Sequence, residues 1–253
     1  MNTMNTANPA GTLPKTAPGG LSALGLKLLA MALMLCDHLW AALPAAPDLL
    51  THIGRLAFPI FAFQIAEGFA RTHDRKRYLL RMLAFAALSE VPFDLFYGGT
   101  VFYPFHQNVM FTFVLAILLL LGVEKFRKKG RVPYLLAAVA AVLLGYALGT
   151  VTMVDYYGCG VVTVLLFYLC RGWKWGWLPE LAGLLYLNGE VLAGEELTVF
   201  GVTFPEQGLA VLALVPILCY RGRQGSHSRA IQYACYAFYP VHMLVLALVQ
   251  RLA

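Results

Sequence analysis

Long apolar runs constrain this chain more than anything else in it. Stretches of about twenty residues with few charges recur, and about twenty residues of helix cross a hydrocarbon core of about 30 Å. The composition agrees. Of 253 residues, 60% are hydrophobic and 13% charged, against about 45–50% apolar and about 25% charged in soluble domains. The expected fold is all-α: a polytopic integral membrane helical bundle in a cell (inner or cytoplasmic) membrane, crossing several times.

About nine transmembrane helices are expected, near 21–43, 50–70, 78–97, 107–124, 133–149, 157–170, 177–194, 206–220 and 230–250. The seventh carries Glu180, Asn188 and Glu190. Loop charge supports keeping it. With the N-terminus inside, the inner loops hold Lys15 and Lys27, Arg71 to Arg81, Lys125 to Arg131, Arg171 and Lys174, and Arg221 to Arg229. The opposite loops hold almost no Lys or Arg, only Arg55 and Arg251 falling on that side. That asymmetry orients the chain N-in and C-out. Residues 1–20, rich in Pro, Gly and Thr, read as a flexible tail. Residues 21–253 read as a single transmembrane helical domain. The tail lacks the short apolar region and small-residue cleavage site of a signal peptide, so the first span is expected to be retained.

The net charge of +6 sits in short loops rather than on one basic face, which argues for membrane lipid and against nucleic acid as a partner. The five cysteines lie in or beside apolar segments without paired ligand spacing and read as small hydrophobes. No His, Cys and carboxylate set has metal-ligand spacing, so no metal is expected. No nucleophile elbow and no Gly-rich phosphate loop is present.

Ionisable residues inside spans are costly and mark function by default. Here they fall at one depth, toward the outer side. Asp37 and His38 lie in the first span, and Arg55 in the second. Glu90 and Asp94 close the third, and His106, Gln107 and Asn108 open the fourth. Asp155 precedes the sixth, Glu206 and Gln207 open the eighth, and His242 lies in the ninth. Glu67, near the inner end of the second span, is the exception. Glu90 and Asp94, four apart, share a helix face, with Pro92 between them expected to kink the helix. Arg55 is the candidate counter-ion for that pair. Adjacent on a helix, Asp37 and His38 point about 100° apart, so Asp37 orients a neighbour such as His242 or Arg55. His38 suits general-base work. The alternative for a lone His on an apolar helix is a core histidine bonded to a backbone carbonyl. "FHQNV" reads either as a helix start, with Asn as N-cap, or as two amides for carbonyl recognition.

The ordered motifs "LKLLAMALMLCDHL", "IGRLAFPIFAFQIAEGFARTHDRKRYLLRMLAFAALSEVPFDLFY", "FHQNVMFTFVL", "DYYGCGVVTVLLFYLCR", "GLAVLALVPILCYRGRQG" and "CYAFYPVHMLVL" together resemble the TraX family, conjugal-transfer pilin acetylases of the membrane. The resemblance spans nearly all of 24–250, with 177–205 outside it. It implies an acetyl-CoA-dependent N-acetyltransferase, an enzyme whose acceptor is a pilin-like peptide amine or another cell-surface group such as a glycan. Carried over by motif, its site positions are Asp37, His38, Arg55, Glu67, Glu90, Asp94, Gln107, Asn108, Asp155 and His242.

The chemistry expected from these residues is acyl transfer inside the bundle. Arg71, Arg75, Lys76, Arg77 and Arg81, with Glu67, receive the acetyl-CoA donor from the cytoplasmic side. His38 takes the acceptor's proton, Asp37 or Asp94 orients it, and Arg55 with Gln107 and Asn108 stabilises the oxyanion. Asp155 and His106 meet the acceptor. The alternative is a proton-coupled transporter using the same buried layer as a relay.

Overall fold

The computed structural model describes residues 20–226 and 228–252. The expected tail, apart from Gly20, lies outside the described residues, as does His227. All nine expected segments are helical in the expected order. They form α1 Ala23–Ala42, α2 Leu49–Gly54, α3 Ala57–Arg71, α4 Arg75–Tyr97, α5 Val109–Arg127, α6 Arg131–Val151 and α7 Tyr157–Cys170. α8 is Trp177–Leu185, α9 Leu214–Leu218 and α10 Arg229–Leu252.

Length and composition distinguish these segments. Among the described residues five helical stretches are long and apolar enough to cross a membrane: Ala23–Ala42, Leu49–Arg71, Val109–Arg127, Arg131–Val151 and Ala230–Leu252. Five of the nine expected crossings fall on these stretches. α4 is 23 residues long, but its first two turns carry Arg75, Lys76, Arg77 and Arg81. The seventh segment is a short α8 continued by a π-helix, Tyr186–Val191. The eighth is a 3-10 helix, Glu206–Ala213, running into the five-residue α9. Between them the chain leaves the helical class. Glu196–Val199 (β1) and Val202–Pro205 (β2) pair as an antiparallel hairpin. Phe200 and Gly201, both at positive φ (51° and 79°), supply the doubly left-handed two-residue turn that hairpins favour.

Local chemistry sets the helix starts. Ser22 accepts the Gly25 amide at 3.1 Å, Asp74 the Arg77 amide at 2.9 Å, and Asn108 the Met110 amide at 2.9 Å, each satisfying an orphan N–H of a first turn. α4 runs through Pro92 as one continuous helix. The core lies between α1, α3, α5, α7 and α10, where Leu26, Ile60, Ile117, Leu165 and Met243 are almost wholly buried. Where two helices meet most closely, glycine is the means. A Cβ on Gly158 of α7 would overlap the backbone of Tyr146 in α6, the small-residue contact that lets membrane helices approach.

The basic loops gather at one end of the bundle. Arg71 at the end of α3 and Arg171 after α7 both reach Glu67, at 2.7 and 2.6 Å. Arg75 and Arg127 both reach Glu124, at 3.2 Å each. Arg71 also donates to the Gly222 carbonyl at 2.8 Å. Trp173, Trp175 and Trp177 stand exposed beside Lys174 at this end, as aromatic anchors do at a membrane interface.

Candidate active site

The far end holds the polar layer. Gly54 makes its first contact possible. A Cβ there would strike Asp37, so its absence lets α2 lie against α1. Thr51 and Arg55 are thereby brought to Asp37. The Thr51 hydroxyl lies 2.9 Å from Asp37 Oδ1 and 3.1 Å from Glu206 Oε1. Arg55 Nε donates to Glu206 Oε1 at 3.1 Å, and its Nη1 stands 3.8 Å from Asp37 Oδ1. One guanidinium thus serves two carboxylates.

This corrects the expected pairing of Arg55 with Glu90 and Asp94. Glu90 is taken by Asn108, which gives it both a backbone and a side-chain N–H. Asp94 Oδ2 accepts the Tyr103 amide at 3.0 Å, while its buried Oδ1 has no hydrogen-bond partner among the described residues. Both carboxylates therefore fasten α4 to the loop before α5. Asn108 also donates to the Ala86 carbonyl and caps α5, so both of its side-chain atoms are committed within the fold. Gln107 turns back on its own loop, donating to the Pro104 carbonyl at 2.9 Å. Both amides thus bond within the fold, and the helix-start reading of "FHQNV" describes Asn108. Ser89 Oγ is buried without a hydrogen-bond partner among the described residues, so no base activates it.

His38 has a different partner from either carboxylate proposed for it. Its Nδ1 lies 2.8 Å from His242 Nε2, and the rings are nearly coplanar at 2°. His242 Nδ1 in turn lies 2.7 Å from the Phe238 carbonyl, one turn back on α10. A carbonyl only accepts, so Nδ1 of His242 carries the hydrogen. In the neutral ring Nε2 is then the acceptor, and it takes the His38 Nδ1–H. His38 Nε2 is left with the lone pair. The carbonyl-bonded alternative weighed for a lone histidine therefore holds for His242, and its consequence is to orient His38. Asp37 orients Arg55 and not His242.

His106 and Asp155 come together at 3.3 Å, with His106 stacked on Tyr97 and Phe93. Backbone bonds from Gln107 to Met153 and from Asp155 to Gln107, 2.9 Å each, tie their two loops. The next residues are strained: Tyr156 and Tyr157 have φ of 58° and 48°, a conformation that bulky residues hold only where surroundings impose it. Here Tyr156 stacks on Phe58, with centroids 3.9 Å apart.

Two cavities meet at this layer. The larger, ≈450 Å³, opens among Lys27, Arg71 and Arg81 at the basic end. It runs inward past Met31 and Gln64 to Met34, Phe61, Val109 and Tyr239. The same last four residues line a second chamber of ≈50 Å³ that adds Asp37, His38, Phe58, Phe93, Asp155 and Tyr156. α1 supplies one continuous stripe to both: Ala23, Lys27, Met31, Met34 and His38. At 1.5 Å per residue that stripe is about 22 Å long.

Of the expected donor residues, Glu67, Arg71 and Arg81 line this cavity and Arg75, Lys76 and Arg77 do not. Arg75 is drawn aside by Glu124 and lies over the Phe69 ring, 4.7 Å from its centroid. Arg77 pairs with Asp74 at the surface. Lys27, Thr51, Phe58, Tyr156 and Tyr239 were not singled out from the sequence. Lys27, at least, had a signal, since it sits eleven residues before His38, three helical turns back on the same face.

Comparison with known proteins bears on the chain as a whole. It is 28% identical over 245 residues to the probable fimbrial assembly protein FimC, serogroup H1, of Dichelobacter nodosus, covering 89% of this chain and 94% of that protein. No solved structure matches. The family description "TraX protein" matches residues 22–250, a span that takes in both cavities and every side chain of the polar layer: this membrane protein belongs to the TraX family.

Proposed function

We propose that the protein is an acetyl-CoA-dependent membrane N-acetyltransferase with the basic end facing the cytoplasm, N-in and C-out. The observation that carries this reading is that Met34, Phe61, Val109 and Tyr239 line both the cavity with the cationic mouth and the chamber at His38. A pocket of ≈450 Å³ is of the size that holds small ligands, about 300–1,000 Å³. Its walls suit a donor with a phosphate-bearing head and a long flexible arm. Lys27 and Arg81 have no carboxylate partner among the described residues, and each lies over a tyrosine ring, Tyr236 and Tyr78. They are the residues to hold phosphate, with Arg71 beside them. Met31, Met34 and Phe61 would hold the arm.

When bound, acetyl-CoA supplies an acyl thioester, and the net exchange is amine plus thioester to amide plus thiol. His38 Nε2 accepts the proton that the acceptor amine gives up. His242 and the Phe238 carbonyl keep that nitrogen unprotonated beforehand. The ring pair Phe58 and Tyr156 excludes water. Arg55 holds Asp37 and Glu206 in place. The acceptor reaches the chamber from the opposite end, past Asp155. Similarity to a fimbrial assembly protein favours a pilin-like peptide amine over a glycan as that acceptor.

The test is thiol release by protein purified in detergent, given acetyl-CoA and a panel of peptide amines and sugars. Acceptor-dependent release that falls by about 10²–10⁴-fold in His38→Ala, the usual worth of a general base, is the expected result. No release, with no detectable acetyl-CoA binding, would overturn the reading in favour of a proton-coupled transporter.

A further inference from the structure

The small chamber has an end wall. Of the residues lining it, Phe58 and Phe93 do not line the larger cavity, so they stand beyond the junction. Both are buried, with about 5% of their surface exposed. Neither ring is free to swing aside. Phe58 is stacked between Tyr156 at 3.9 Å and Phe113 at 6.1 Å. Phe93 is stacked on Tyr97 at 5.5 Å and on His106 at 5.6 Å. Behind Phe58 the strained Tyr156 is itself fixed by the loop pairing of 106–108 with 153–155. The chamber measures ≈50 Å³, and on that measure one water takes about 10–15 Å³. It therefore admits a group of only a few heavy atoms beside His38.

On the acyl-donor reading above, we infer that Phe58 and Phe93 set the length of the acyl group, restricting the site to two carbons. A longer chain entering from the large cavity meets these rings, and the other way on is the approach past Asp155 that the acceptor needs. It must displace a braced ring, block the acceptor or stop short of His38. Both wall residues act on the ground state as well as on turnover, because the acyl end must seat before it can react. Close-packed interiors resist even one added methylene.

The experiment compares acetyl-CoA with butyryl-CoA on purified full-length protein by two readouts. One is the thermal stabilisation each donor confers without acceptor. The other is acceptor-dependent thiol release. Wild type is expected to favour acetyl by at least about tenfold in release, since one methylene in an apolar pocket discriminates by about 10–200-fold. It should also be stabilised more by acetyl-CoA. Phe58→Ala and Phe93→Ala should each shift the butyryl-to-acetyl ratio toward butyryl by about tenfold in both readouts. Phe58→Leu and Phe93→Leu, which keep more of the core, should shift it in the same direction by less. Phe63→Ala removes a ring from the large cavity alone and should leave the ratio unchanged. Equal use of both donors by wild type, or losses in the wall variants that are equal for both donors, would overturn the inference. If acetyl-CoA binding and release persist with an unmoved ratio, the end wall alone is refuted. If wild type binds neither thioester, the acyl-donor reading falls and takes the end wall with it.

Discussion

The two ends of the bundle are electrostatic opposites. At the basic end two carboxylates are each shared by two arginines, Glu67 by Arg71 and Arg171, and Glu124 by Arg75 and Arg127. In the polar layer the ratio inverts, and Arg55 alone serves Asp37 and Glu206. With Lys27 and Arg81 beside Glu67 and Arg71, the basic end carries surplus positive charge at a cavity mouth, where an anion would bind. The polar layer leaves surplus negative charge around a histidine, where a cation or an amine would bind. Because buried charge persists only with compensation, the difference tells which sign of ligand each end can tolerate.

The largest test of this contrast is Arg55→Met. It strands two carboxylates in the bundle, and breaking such a network costs about 3–5 kcal/mol. Thermal unfolding in detergent should show a large drop. Arg77→Met, which breaks an exposed pair with Asp74, should change stability by less than about 0.5 kcal/mol. Similar losses in both would erase the distinction between the ends.

His242→Phe keeps a flat ring and removes the acceptor that holds the His38 hydrogen on Nδ1. Turnover should fall by about 10²-fold, the lower range for acid–base catalysis, with acetyl-CoA affinity unchanged. A fall in affinity instead would make His242 a packing residue of the donor cavity.

Changes at the mouth should act on affinity. Lys27→Ala combined with Arg81→Ala should weaken acetyl-CoA binding by about tenfold, with a smaller effect at high salt as screening requires. Lys76→Ala combined with Arg77→Ala should leave it unchanged, as neither lines the cavity. Unequal results in the reverse sense would move the donor site onto the α4 surface.

The smallest expected effect sharpens the comparison most directly. Glu67→Gln frees Arg71 and Arg171 from their shared carboxylate. Donor binding should tighten by a few-fold at low salt, consistent with about 1 kcal/mol for one unit charge close by in water-like surroundings. Titration calorimetry at two ionic strengths would measure it. Weaker binding would show that Glu67 orients Arg71 rather than attenuating its charge.

Much of this was open to reading in the sequence. The apolar runs locate all nine helical segments, and the cost of burying charge identifies the polar layer's members. The pairings were not readable. Arg55 reaches Asp37 because Gly54 lets α2 press on α1, and its second carboxylate is Glu206, 151 residues away, rather than Glu90 or Asp94. Asn108 reaches back 18 residues to Glu90, and that choice depends on how α4 meets the 98–108 loop. Basic residues were assigned to the donor by their density along the chain. The cavity selects by helix face, and so it takes Lys27 and Arg81 and leaves Lys76. The hairpin lay in a stretch too short and mixed for period-2 alternation to register.

The stripe of α1 has a consequence for how such a chain can change over time. Ala23, Lys27, Met31, Met34 and His38 work together because they share one helical phase. A single inserted or deleted residue between Lys27 and His38 would turn one end by about 100° against the other. Every side chain on both ends would survive, and mouth and histidine would face different surroundings. Substitutions on the other side, at Leu28 or Leu29, leave the phase intact. In α1, then, the outer face can change letter by letter without disturbing the site, while the spacing between charge and base has to keep a fixed length.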